Sequence, residues 1–121
     1  MMAQKKTGYK NLRFCQSDDA EVKAAIAQYA SEAKPEDVIA IDNRTRKIFG
    51  IGKAKGILFT KNAIYSSFLE DNNPIYYKDI KHAALSVEDK IRFKMKNGES
   101  IECDFGQAND LILEFLLEII T

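Results

Sequence analysis

His82 is the one histidine, and Cys15 and Cys103 are the two cysteines, in the 121 residues. The cysteines stand far apart with no C-x-x-C, so a zinc site would have to draw on scattered carboxylates. Cys15 follows Phe14, and Cys103 alternates with Ile101 and Phe105. Both read as small buried apolar residues with inert thiols rather than as halves of a disulfide. No serine or cysteine can be set beside His82 from the sequence, so it reads as a surface or half-buried residue and not as a base. Asp42, Asp79 and Asp89 each stand at an expected strand end or turn, where short acidic side chains accept hydrogen bonds from backbone N–H groups. Paired carboxylates of the glycosidase kind would need a deep pocket, for which a small closed sheet leaves little room. These residues point to a non-enzymatic chain with no cofactor and no metal.

Phe49-Gly50-Ile51-Gly52-Lys53-Ala54-Lys55-Gly56 combines glycine and lysine as phosphate loops do. It lacks a Gly-Lys-Ser/Thr ending and the G-x-G-x-x-G spacing. The next segment also reads as a strand, whereas both motifs open a helix onto the phosphate. The glycines fit a bent strand or hairpin. The charge around them is more informative. Arg44, Arg46, Lys47, Lys53, Lys55 and Lys61 fall in a stretch with no acidic residue, while residues 62 to 121 hold six basic and eleven acidic ones. Lys plus Arg and Asp plus Glu are each 18, and the zero formal charge argues against a dedicated nucleic-acid binder. The zero conceals a dipolar surface whose basic end suits a phosphate, an anionic lipid or an acidic protein face.

The elements that must position these groups follow from periodicity. At 45% apolar and 30% charged residues the composition is that of a globular domain, and the length supports one hydrophobic core. Residues 1–16 read as a flexible lead-in, with Leu12–Cys15 either a short extended piece or a segment packed on the domain, and 17–121 as a single domain. Asp18 and Glu21 have capping-box spacing, and Val22, Ala25, Ile26, Tyr29, Ala30 and Ala33 form a helical stripe, giving a helix over 18–33 that Pro35 ends. Short strands are expected at Val38–Ile41, Lys55–Thr60, Ala63–Phe68, from Ile75, and over Ile80–Val87. Ile91, Phe93 and Met95 alternate with charged residues, as do Ile101, Cys103 and Phe105. A three-residue loop, Lys96-Asn97-Gly98 with Gly98 left-handed, pairs Phe93 with Ile101 and Ile91 with Cys103. That register sets Arg92 beside Glu102 and Lys90 beside Asp104. A helix over 108–120 closes the chain. The expected fold is α+β: a small antiparallel curled sheet or barrel of six to seven strands, with an N-terminal helix and a C-terminal capping helix.

Gly56-Ile57-Leu58-Phe59-Thr60-Lys61-Asn62-Ala63-Ile64-Tyr65, then Ile75-Tyr76-Tyr77-Lys78-Asp79-Ile80, then the Asn97-Gly98 hairpin leading to the last helix, carry a likeness. Over residues 36 to 120 the chain resembles bacterial pleckstrin-homology-like domains, of the GRAM and PH-superfold kind. The resemblance implies a lipid, peptide or protein docking module without catalysis. It also implies that anionic headgroups would meet Arg44, Arg46, Lys47, Lys53 and Lys55 near the first two strands.

The last helix offers a second surface. Ala108, Leu111, Ile112, Phe115 and Ile119 make one stripe, whereas Leu113, Leu116, Leu117 and Ile120 lie largely outside it. A helix capping a small sheet needs one apolar side, so the surplus is either covered by Val22, Ile26 and Tyr29 of the first helix or is a protein interface, a homodimer among the options. No run is long and apolar enough to span a bilayer and the start is not a signal peptide, which points to the cytoplasm. The expected function is docking of a protein partner, with a lipid or phosphate ligand at the basic cluster as the alternative.

Overall fold

A computed structural model describes residues 12–14, 19–45, 54–106 and 109–120. The chain divides into two compact units, one formed by Lys10–Ile75 and one containing Tyr76–Thr121. Among the described residues there are two α-helices and eight strands, arranged in two antiparallel sheets. The α+β class holds, with the strands divided between two sheets. The strand expected from Ile75 ends after Tyr76, because Tyr77–Asp79 forms a one-turn 3-10 helix. Ile75–Tyr76 therefore belongs to the first sheet, and Ile80–Leu85 begins the second. No ladder among the described residues closes either sheet into a barrel.

The first sheet is built on β1 (Leu12–Phe14), β2 (Val38–Asn43), β3 (Gly56–Thr60), β4 (Ala63–Ser66) and β5 (Ile75–Tyr76), in that spatial order. Leu12–Phe14 falls inside the stretch read as a lead-in, yet it pairs with Ala40–Asp42 and buries Leu12. Ile57-Leu58-Phe59 is a continuous apolar run rather than an alternating one, and all of β3 and β4 is correspondingly buried. Their two-residue turn is fastened by Thr60, whose hydroxyl donates to the Ala63 carbonyl at 2.9 Å and accepts the Ala63 N–H at 3.0 Å. Helix α1 (Ala20–Gln28) lies on β2 and β3 through Val22 and Ala25. Asp19, not Asp18, caps it: its carboxylate accepts from the Glu21 and Val22 N–H groups at 2.8 and 3.3 Å. The helix stops at Gln28 and not at 33, since the N–H groups of Tyr29 and Ala30 both close on the Ala25 carbonyl and end the regular ladder.

The C-terminal unit is a meander, β6 (Ile80–Leu85), β7 (Ile91–Met95) and β8 (Ser100–Cys103), with helix α2 (Asn109–Ile120) against β6 and β7. The β7–β8 register is the expected one, Ile91 opposite Cys103, Arg92 opposite Glu102 and Phe93 opposite Ile101. Gly98 has a φ of 95°, and the Met95 N–H reaches the Glu99 carbonyl across the three-residue loop. Ile91 and Phe93 alternate with exposed Arg92 and Lys94, so one face of β7 is core. Burial of each such large side chain contributes about 1.5–3 kcal/mol. On α2 the buried arc is Asn109, Ile112, Leu113, Phe115 and Leu116, which is wider than the expected stripe and rotated toward Leu113.

Candidate functional site

Of the six basic candidates, Arg46, Lys47 and Lys53 lie outside the described residues. Arg44 is ion-paired. Asp42 and Arg44 stand two apart at the end of β2, the spacing that puts side chains on one side of an extended chain. The Arg44 Nη2 donates to Asp42 Oδ2 at 2.8 Å and Nε lies 3.2 and 3.1 Å from the two carboxylate oxygens. The Asp42 side chain is fully buried, and the guanidinium also sits 5.5 Å from the Phe68 ring centre. Asp42 stands at a strand end, as expected, and a guanidinium binds its carboxylate. Asp79 and Asp89 do occupy turns, Asp79 in the 3-10 turn and Asp89 at a φ of 61°.

The chain can turn sharply beside this pair because of Gly56. Its φ is +144°, and a Cβ there would meet the Asp42 carbonyl oxygen at 2.0 Å. The Gly56 carbonyl accepts from the Ser66 hydroxyl at 2.7 Å, and its N–H donates to the Ser67 hydroxyl at 3.1 Å. Lys55 is exposed next to Gly56, and Lys61 is exposed in the turn at the other end of β3. Six residues of extended chain separate these two cations by about 20 Å. The described part of the basic cluster thus consists of one neutralised arginine and two lysines at opposite strand ends.

The four helix candidates also separate. Leu113 and Leu116 are buried, Ile120 is half-buried, and Leu117 is 39% exposed. Leu85, on β6, is 38% exposed, and Val87 at the tip of the β6–β7 turn is fully exposed. At the start of α2, Asn109 is buried and fully used. Its Oδ1 accepts the Phe105 N–H at 2.8 Å, and its Nδ2 donates to the Asp89 carbonyl and Asp104 Oδ1 at 3.0 and 3.1 Å. The Gly106 N–H and then Asn109 hold the exposed Asp104 carboxyl below its usual range. A cleft of about 570 Å³ lies beside this junction, lined by Glu88, Asp89, Asp104 and Asp110 among others.

His82 is exposed on β6, and burial pushes the Cys103 thiol up to about 12, so it stays protonated near neutrality. Cys15 lies outside the described residues. No group of three or more His, Cys, Asp or Glu among the described residues is placed to hold a metal ion. No helix among them is long and apolar enough to cross a membrane.

Counting charge along the chain hides a further surface. His82 stands directly opposite Lys94, and Ala84 opposite Arg92, on the outer face of the C-terminal sheet. Arg92 is answered by Glu102, with Nη2 to Oε2 at 3.1 Å. Lys90 reaches Glu88 at 3.2 Å and Glu102 at 3.8 Å, and its hydrogen bond to Glu88 raises its pKa. Lys94 faces Ser100 instead. Strand pairing could have shown this from the sequence, since the register of Arg92 with Glu102 also leaves Lys94 opposite a neutral residue.

Comparison with protein families, with curated proteins and with solved structures gives no match.

Proposed function

We propose that the chain is a non-enzymatic, pleckstrin-homology-like docking module for a protein partner, a second copy of itself being one form that partner can take. The observation that carries this is Leu117. It is 39% exposed on a helix whose residues are apolar apart from Asn109, Asp110, Glu114 and Glu118, next to Leu113 and Leu116, which are buried. With half-buried Ile120 one turn on, it extends the packed apolar surface outward, and a contiguous apolar patch is the kind of surface a protein partner covers. The hairpin-to-helix order of the C-terminal unit and the Gly56–Tyr65 hairpin support the family reading. The phosphate or lipid alternative has less support from the described cations, because Arg44 is held by Asp42 and Lys55 is far from Lys61.

A photo-crosslinking residue at position 117, illuminated in cells that make the protein, tests the reading. A protein adduct is expected, and an adduct of twice the chain mass identifies self-association. A lipid adduct, or none at a position that labels freely in the denatured chain, would overturn protein docking.

A further inference from the structure

We propose that the outer edge of β6 accepts an extended acidic segment of a partner protein as an added strand, an inference that rests on the docking reading above. β6 is the outer strand of its sheet, with no neighbour beyond it among the described residues. The Ser86 N–H donates to the Lys90 carbonyl at 2.7 Å. Hydrogen-bonded and non-hydrogen-bonded pairs alternate along an antiparallel ladder. Counting back through the register, Ala84 exchanges bonds with Arg92, while Ala83 and Leu85 turn their N–H and C=O groups to the outer side. Ala83 and Ala84 are small, so an incoming backbone meets little bulk. Strand addition of this kind takes its affinity from main-chain bonds and its specificity from the flanking side chains.

The side chains flanking its Ile80 end are basic. Lys81, His82 and Lys94 are exposed. None of the three pairs with a carboxylate among the described residues. The irregularity between Ile80 and His82 places Lys81 at the bulge. Lysine and a bulge are the usual devices that stop one sheet edge from pairing with another. Here they disfavour a second copy, which would bring its own Lys81 and Lys94 to the same edge. An acidic strand is attracted at this end, whereas Glu88 and Asp89 lie beyond Leu85 at the other, so charge complementarity selects an occupant whose acidic residues face Lys81 and Lys94.

The test uses a fluorescein-labelled peptide of alternating glutamate and valine, read by anisotropy and by amide hydrogen exchange of the intact protein. Binding is expected to protect the Ala83 and Leu85 amides. It should weaken as ionic strength rises from 0.01 M to 0.15 M and the screening length contracts from about 30 to about 8 Å. Lys81→Glu with Lys94→Glu should lower affinity at least about tenfold. Ala83→Pro should abolish binding while leaving β6 paired to β7, since the lost N–H faces outward. The proposal is overturned by absence of binding, by protection elsewhere, or by a folded Ala83→Pro variant that binds normally. Should that variant not fold, the protection pattern of the unmodified protein decides. A protein adduct at position 117 together with no peptide binding would remove the acidic strand and leave docking standing. Failure of the adduct would remove docking itself.

Discussion

Arg44→Met removes the guanidinium that holds a buried carboxylate. Breaking a buried ion pair by deleting one member costs about 3–5 kcal/mol, because the surviving charge is left in a poor solvent. The Arg44 side chain keeps 22% of its exposure, so water can reach the corner, and the lower end of the range applies. Loss of the contact with the Phe68 ring adds about 0.5 kcal/mol at a site this exposed. The sum is about 3.5 kcal/mol. At a urea slope of about 2 kcal/mol/M it moves the unfolding midpoint down by about 1.7 M. The chain has no tryptophan and five tyrosines, so far-ultraviolet circular dichroism with tyrosine emission is the suitable readout. Asp42→Asn in the same background should recover about 2 kcal/mol, because the stranded charge is gone. The reasoning is refuted if Arg44→Met lies within about 0.5 kcal/mol of the parent, or if the two single losses simply add.

Gly56→Ala should destabilise by at least about 1–3 kcal/mol from backbone strain alone, with displacement of the Asp42 carbonyl in addition, and an unchanged melting temperature would contradict the close approach. Leu113→Asp should unfold the C-terminal unit, since it buries a charge at a site 8% exposed, whereas Leu117→Asp should leave the circular dichroism spectrum intact. Cys103, in a Cys15→Ser background, should resist a thiol reagent at pH 8 until the chain is unfolded. Its folded pKa is raised above the unfolded value, so the stability it contributes is complete below about pH 9 and is lost progressively toward pH 12, by about 1.4 kcal/mol per pH unit. A Cys103→Ala variant with the same alkaline slope would refute that assignment.

What could be read from the sequence was what several independent signals specified together. The β7–β8 register was legible because apolar alternation, an Asn-Gly turn and the Arg92–Glu102 pairing all demand the same alignment. The cap of α1 was misplaced by one residue because the capping-box spacing to Glu21 favours Asp18, whereas it is the chemically similar Asp19 that accepts the Glu21 and Val22 N–H groups. The end of α1 had only Pro35 as a marker, and the earlier turn at Ala25 to Ala30 is made by backbone bonds that no side chain announces. A three-residue strand such as Leu12–Phe14 is too short for a period to show. Division into two sheets depends on the kink at Tyr77–Asp79, where the sequence shows strand-forming residues on both sides.

The candidate surfaces were harder because charge along a chain is not charge in space. Arg44 to Lys61 reads as one basic run, but a buried carboxylate two residues upstream takes its first member, and the length of β3 separates its last two. Lys78 to Lys96 reads as diluted, since acidic residues interrupt it. The pleat then sorts those residues: Arg92 and Lys90 find Glu102 across the ladder, whereas Lys94 finds His82 on one side and Ser100 on the other. One glutamate opposite one cation on β7, and none opposite the next, is enough to leave positive charge beside the outer strand. A Ser100→Glu substitution would place an acid across from Lys94 without touching the β6 backbone. If the edge selects its partner by charge, that substitution should weaken binding of the acidic peptide severalfold and leave the Ala83 and Leu85 amides equally exposed to exchange in the free protein. Unchanged affinity would mean that Lys94 plays no part in selecting the strand.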